Sequence, residues 1–205
     1  MYTLIVYVHL IAACVAVGIL LMQDLMLAKT SGKPLSQGAI QELQRAARII
    51  LLALVVLWIS GLTLVLVGYL NDPQYFMNQK ILAKFTVVGV LTINGVVLHY
   101  FSFPRVVSSH GIIGLGFFEK TFVALSGAVS TVSWLFACYL GIARSWNNTV
   151  EFNFVLFVYL YLLFAACVLG CAFIHSLAVP ASAKRRASAE SLVVHSSRGS
   201  GLKKT

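Results

Sequence analysis

Five uninterrupted apolar runs fill most of the chain, near Tyr2–Leu27, Ile49–Leu70, Ile81–Phe103, Phe122–Ile142 and Phe154–Ala178. Each is long enough to cross a hydrocarbon layer about 30 Å thick, which takes roughly 20 residues at a helical rise of about 1.5 Å. The runs are continuously apolar rather than alternating, which excludes a closed barrel, and in lipid only a helix satisfies its own backbone within one segment. The sequence therefore predicts an all-α, polytopic membrane bundle of five transmembrane helices. A hydrophobic share of 60% with 10% charged residues lies outside the range of about 45–50% apolar residues usual in soluble domains. The first run lacks a basic leader, is about twice the usual length of a signal-peptide core and carries Asp24 near its end, so it reads as a retained span.

The formal charge of +9 invites a nucleic-acid reading, but the basic residues follow membrane topology. Twelve of the fifteen lysines and arginines fall after spans one, three and five; Lys80, Lys84 and Arg144 lie on the other side. The positive-inside rule then puts the N-terminus outside and the C-terminus in the cytoplasm, in a multi-pass protein of the cytoplasmic membrane. Its partner is membrane lipid and not nucleic acid. Residues 1–179 form the transmembrane domain. Residues 180–205, rich in Ser, Ala, Lys and Arg, cannot bury a core and are expected to be a disordered basic tail, with Lys184-Arg185-Arg186 meeting anionic headgroups. Cys14, Cys138, Cys167 and Cys171 all lie within spans, so no disulfide framework is indicated. Short connections make spans two and three, and four and five, expected neighbours.

Polar residues inside spans cost a few kcal/mol unless they face the bundle and find a partner. His99 stands four residues before the end of span three and His175 three before the end of span five, at matched depth beneath the inner boundary. Two imidazoles on different helices at one level are what axial ligation of haem b requires; separate interfacial packing of each ring remains open. Cys167, Cys171 and His175 form one stripe at a spacing of four, a donor set that copper accepts. Its outer members are about 12 Å apart along the axis, so only an adjacent pair shares an ion, aided by Cys138, His99 or His110. On the outer side, His9 and Lys84 lie at comparable depth, with Arg144 and Trp146 on the same face. They suit an anionic or quinone-like head group or haem propionates, although a lysine so near the boundary can simply snorkel. Asp24 is expected to pair with Lys29 or Arg105, and Ser126, Ser130 and Ser133 to form a packing stripe.

Three stretches, Leu57-Trp58-Ile59-Ser60-Gly61-Leu62, Gln79-Lys80-Ile81-Leu82-Ala83-Lys84 and Phe103-Pro104-Arg105-Val106, resemble in their order the copper-resistance D-type membrane proteins and the related HemJ-type protoporphyrinogen oxidases. His9 in Tyr7-Val8-His9-Leu10 is similar to a histidine of the HemJ pattern. That histidine, together with a lysine of the following hairpin, is implicated there in haem binding and activity. The resemblance covers spans one to four; span five, with His175, lies outside it. It implies haem or copper in a small bundle and leaves the reaction open.

The expected function is electron transfer or redox chemistry on a b-type haem, with a quinone or another membrane redox subunit as partner; whether the chain is an enzyme, such as a haem-dependent oxidoreductase, stays open. The alternatives are a copper-handling transporter and a non-catalytic subunit or assembly factor. The orientation is testable on a thiol-free background. Asp72→Cys should react with a membrane-impermeant maleimide in intact cells and Lys184→Cys only after lysis; the reverse pattern contradicts the assigned topology.

Overall fold

The computed structural model describes residues 1–30, 33–107, 111–147 and 149–200, with side chains to residue 176 except 76, 113 and 144. Five helices long and apolar enough to cross a membrane account for nearly all of it, and no strand occurs among the described residues. They are α1 (Tyr2–Lys29), α2 (Gln37–Asn71), α3 (Gln79–Val106), α4 (Phe117–Ile142) and α5 (Phe152–Ser200), the last apolar over Phe152–Ser176. Helix α2 begins twelve residues before its apolar run. Ser36 caps it by accepting from Ala39 N–H at 3.2 Å, so the polar turns around Gln41 continue directly into the span.

Side-chain size decides which helices come close. Ala12 and Ala16 on α1 and Ala46 and Ala53 on α2 are buried, and small residues let two backbones approach where lipid supplies no hydrophobic drive. The tight contacts are α1 with α2, α4 with α5, and α3 with α4. Although a short connection joins α2 to α3, these two meet chiefly through side chains: Trp58 Nε1 donates to Thr92 Oγ1 at 3.1 Å and its ring stands 6.2 Å from Phe85. Spans two and three are thus neighbours, as the short connection between them predicts, with Trp58 bridging the two helices.

Two apolar clusters form the core. One joins Ala16, Leu20, Ala53, Leu54, Leu91 and Trp134 across four helices. The other joins Ala83 and Val87 of α3, Phe136 and Leu140 of α4, and Val155 and Tyr159 of α5. The serine stripe is the packing face of α4: Ser126, Ser130 and Ser133 are all buried, and Ser133 and Tyr159 hydroxyls meet at 2.7 Å. Outward positions carry exposed Leu, Ile, Val and Phe, the surface a hydrocarbon solvent requires.

The start of α3 ties down the connection between α4 and α5. Asn78 caps α3 by accepting from Lys80 N–H at 3.0 Å, Gln79 Oε1 accepts from Phe152 N–H at 2.6 Å at the start of α5, and Lys80 Nζ donates to Ala143 O and, at 2.9 Å, to Asn147 Oδ1. Lys80 is only 3% exposed, so its ammonium satisfies a helix C-terminus from inside the bundle. Near its other end α3 widens into a π-helical turn at Leu98–Ser102, where Phe103 N–H bonds to Leu98 O. Pro104 accounts for this turn, since its ring cannot follow a regular α-helical turn without meeting the carbonyl four residues back.

Lys80→Met keeps the length of the side chain and removes both charge-assisted bonds. It should lower unfolding free energy by about 1.5 to 3 kcal/mol, measured by equilibrium unfolding in mixed micelles. A stability equal to wild type would show that Lys80 does not cap α4.

Candidate functional site

His9 of α1 and Ser60 of α2 meet between helices, and Lys84 lies on α3. His9 Nδ1 lies 2.8 Å from Ser60 Oγ. Ser60 already uses its own proton on Val56 O, at 2.6 Å, so its oxygen accepts and His9 Nδ1 donates. The imidazole is thereby fixed in the tautomer whose Nε2 carries a lone pair, and Nε2 has no partner among the described residues. The ring lies against α2 at Gly61, where a Cβ would meet His9 Cε1 at 3.4 Å, an ordinary van der Waals contact.

Lys84 stands one turn after Lys80 on α3. It is half-buried and makes neither hydrogen bond nor ion pair among the described residues. An imidazole with an open ring nitrogen and a half-buried lysine, neither with an anionic partner among the described residues, can each attract an anion or a hydrogen-bonding head group. Two shallow apolar grooves flank α2: one of about 410 Å³ along Leu62, Val65, Leu66 and Tyr69, and one of about 330 Å³ between α1 and α2 past Tyr7, Ile11 and Val56.

The inner histidines have separate surroundings. His99 falls in the π-helical turn, is exposed, and sets its ring edge-on to Tyr100 at 5.3 Å. The buried side of α3 runs through Val87, Leu91 and Asn94 to Ser102 and Val106, leaving His99 outside it. His175 faces α4, with Nε2 3.2 Å from Thr121 Oγ1 and its ring stacked at 4.6 Å on Phe117. They share no hydrogen-bonding or ring-stacking partner among the described residues. Cys167 and Cys171 are half-buried free thiols on α5, and no group of three or more His, Cys, Asp or Glu side chains that can hold a metal ion occurs among the described residues. His110 lies outside the described residues, as does the side chain of Arg144.

Two further expectations are revised. Asp24 pairs with neither Lys29 nor Arg105: Thr131 Oγ1 donates to its Oδ2 at 2.8 Å, while Arg105 is engaged by Glu119 at 3.4 Å. The approach of α1 to α4 at this level brings a hydroxyl to the carboxylate, and Glu119, fixed as the N-terminal cap of α4 by Gly116 N–H at 3.1 Å, takes the arginine. Trp146 packs edge-on to Tyr139 and Phe154 at 5.2 and 6.0 Å, inside the α4–α5 cluster. Ser60 was the functional neighbour missed from sequence. The signal was available in Ser60-Gly61, a small polar pair where a bulky side chain on another helix can seat.

Comparison of the chain with protein-family models, with curated proteins and with solved structures finds no match.

The tautomer is a direct consequence of the Ser60 chain of hydrogen bonds. In ¹⁵N NMR of the protein at alkaline pH, His9 should show protonated Nδ1 and bare Nε2, and Ser60→Ala should shift it toward a mixture. A protonated Nε2 in the unsubstituted protein contradicts the arrangement.

Proposed function

We propose that the chain is a membrane redox protein of the cytoplasmic membrane that binds a b-type haem at His9 and Lys84 and exchanges electrons with a quinone or another membrane subunit. The observation that carries this reading is an oriented imidazole with a free Nε2, together with a half-buried lysine on α3 that has no anionic partner among the described residues. A ligating histidine characteristically donates its second ring nitrogen to an oriented acceptor, as His9 Nδ1 does to Ser60. Lys84 suits a propionate carboxylate. The donor set therefore fits the group, with His9 as the iron ligand and Lys84 as the counter-charge.

A bound haem supplies one-electron chemistry at its iron. The chain's own part is positional and electrostatic. Ser60 sets the tautomer and angle of His9, and Lys84 offsets negative charge that hydrocarbon would otherwise penalise. The resemblance of His9 and Lys84 to the HemJ pattern supports the same pair. His99 and His175, the other candidates for haem, have no shared centre to recommend them.

The test is the optical spectrum of the detergent-solubilised protein, oxidised and reduced, after expression with haem supplied. A Soret band is expected. His9→Ala should reduce haem content more than tenfold, and Lys84→Ala should weaken binding about tenfold, equivalent to about 1.4 kcal/mol, with Lys84→Arg retaining most of it. Folded protein without haem absorption after supplementation overturns the proposal, as does His9→Ala with full haem content.

A further inference from the structure

Asp24 is a carboxyl group inside an apolar span, and the proposed redox site does not use it. It lies 15 residues beyond His9 on α1, about 22 Å along the helix. Its observed partner is the Thr131 hydroxyl of α4. Lys29 on α1 and Arg45 and Arg48 on α2 are exposed and make no ion pair with it among the described residues, and Arg105 on α3 is held by Glu119. No cation therefore compensates a charge at Asp24 among the described residues. Beside it in sequence, Gln23 Oε1 is fully buried without a hydrogen-bond donor, a second acceptor flanking the Ala16–Leu20 packing stripe.

Thr131 gives this group two self-consistent states. Its single hydroxyl proton has two acceptors in range, Asp24 Oδ2 at 2.8 Å and Gly127 O at 3.1 Å. With Asp24 ionised, Thr131 donates to the carboxylate. With Asp24 protonated, the new O–H donates to Thr131 Oγ1, and the Thr131 proton turns to Gly127 O. Every donor has an acceptor in both states, so the contact survives the change of charge, whereas a hydrogen-bonded salt bridge would not.

We propose that Asp24 is a proton-binding site within the membrane, reading its charge through Thr131. The proton is taken from water and returned to it, so that one O–H bond forms and breaks at the carboxyl group and nothing else is consumed. The proposal is independent of the haem reading and does not need a cofactor.

Asp24 and Asp72 are the only aspartates in the chain, which makes the test specific. Protein with ¹³C-labelled aspartate carboxyls, reconstituted in lipid vesicles, is examined by infrared difference spectroscopy between acid and alkaline buffers. The expected result is an isotope-shifted protonated-carboxyl band that disappears reversibly as pH rises, is absent in Asp24→Asn and persists in Asp72→Asn. Thr131→Val should shift the band's frequency and displace its midpoint, while Thr131→Ser restores both. A band unchanged in folded Asp24→Asn, or an Asp24 carboxyl that keeps one protonation state throughout the pH range in which the protein stays folded, overturns the proposal.

Discussion

Hydrocarbon offers no hydrogen bonds, so each polar side chain in this bundle must find its partner on the backbone or on another helix. That constraint accounts for the cross-links that define the arrangement. Trp58 reaches Thr92, Asn94 Nδ2 donates to Ser126 O at 2.9 Å, Ser102 and Ser126 meet at 2.6 Å, and Ser133 meets Tyr159. Interhelical hydrogen bonds in membranes average only about 0.6 kcal/mol, too little to drive assembly one by one. Their greater effect is on register, since a helix that slid or rotated would strand several polar groups in lipid at once. Cohesion comes instead from the small residues of α1 and α2 and the packed rings around Phe136 and Tyr159, whose planes stack at 5.4 Å.

The same constraint singles out groups whose partners are incomplete. Lys80, Asn94 and the buried serines are satisfied and serve the fold. His9 is satisfied at one ring nitrogen and open at the other, Lys84 is open altogether among the described residues, and Asp24 shares one hydroxyl proton with a backbone carbonyl. Stability alone would favour apolar residues at these places. His9 and Asp24 stand 15 residues apart on α1, about 22 Å along the helix.

Span number, approximate boundaries and the serine packing face were legible in the sequence because they depend on hydropathy and residue size. His9 and Lys84 are both half-buried on their helices. His99 and His175 have different surroundings: His99 is exposed beside Tyr100, and His175 stacks on Phe117. Depth along an axis says nothing about rotation around it, and the π-helical turn that Pro104 imposes leaves His99 on the outward side of α3. Asp24 was misassigned for a related reason, since a cation nearby in sequence is a weaker competitor than a hydroxyl on the helix packed against it. Lys80 read as a boundary charge because nothing in its immediate sequence revealed that the end of α4 would lie against it.

The central claim is that the His9 imidazole is drawn out of lipid and seated on α2 at Ser60-Gly61. Solid-state NMR of the protein in bilayers, with ¹³C-labelled histidine and glycine, measures that contact directly. A strong dipolar cross-peak between His9 Cε1 and Gly61 Cα, abolished by His9→Ala, is the result this account predicts. A His9 ring whose cross-peaks run to acyl-chain protons and not to Gly61 would contradict it.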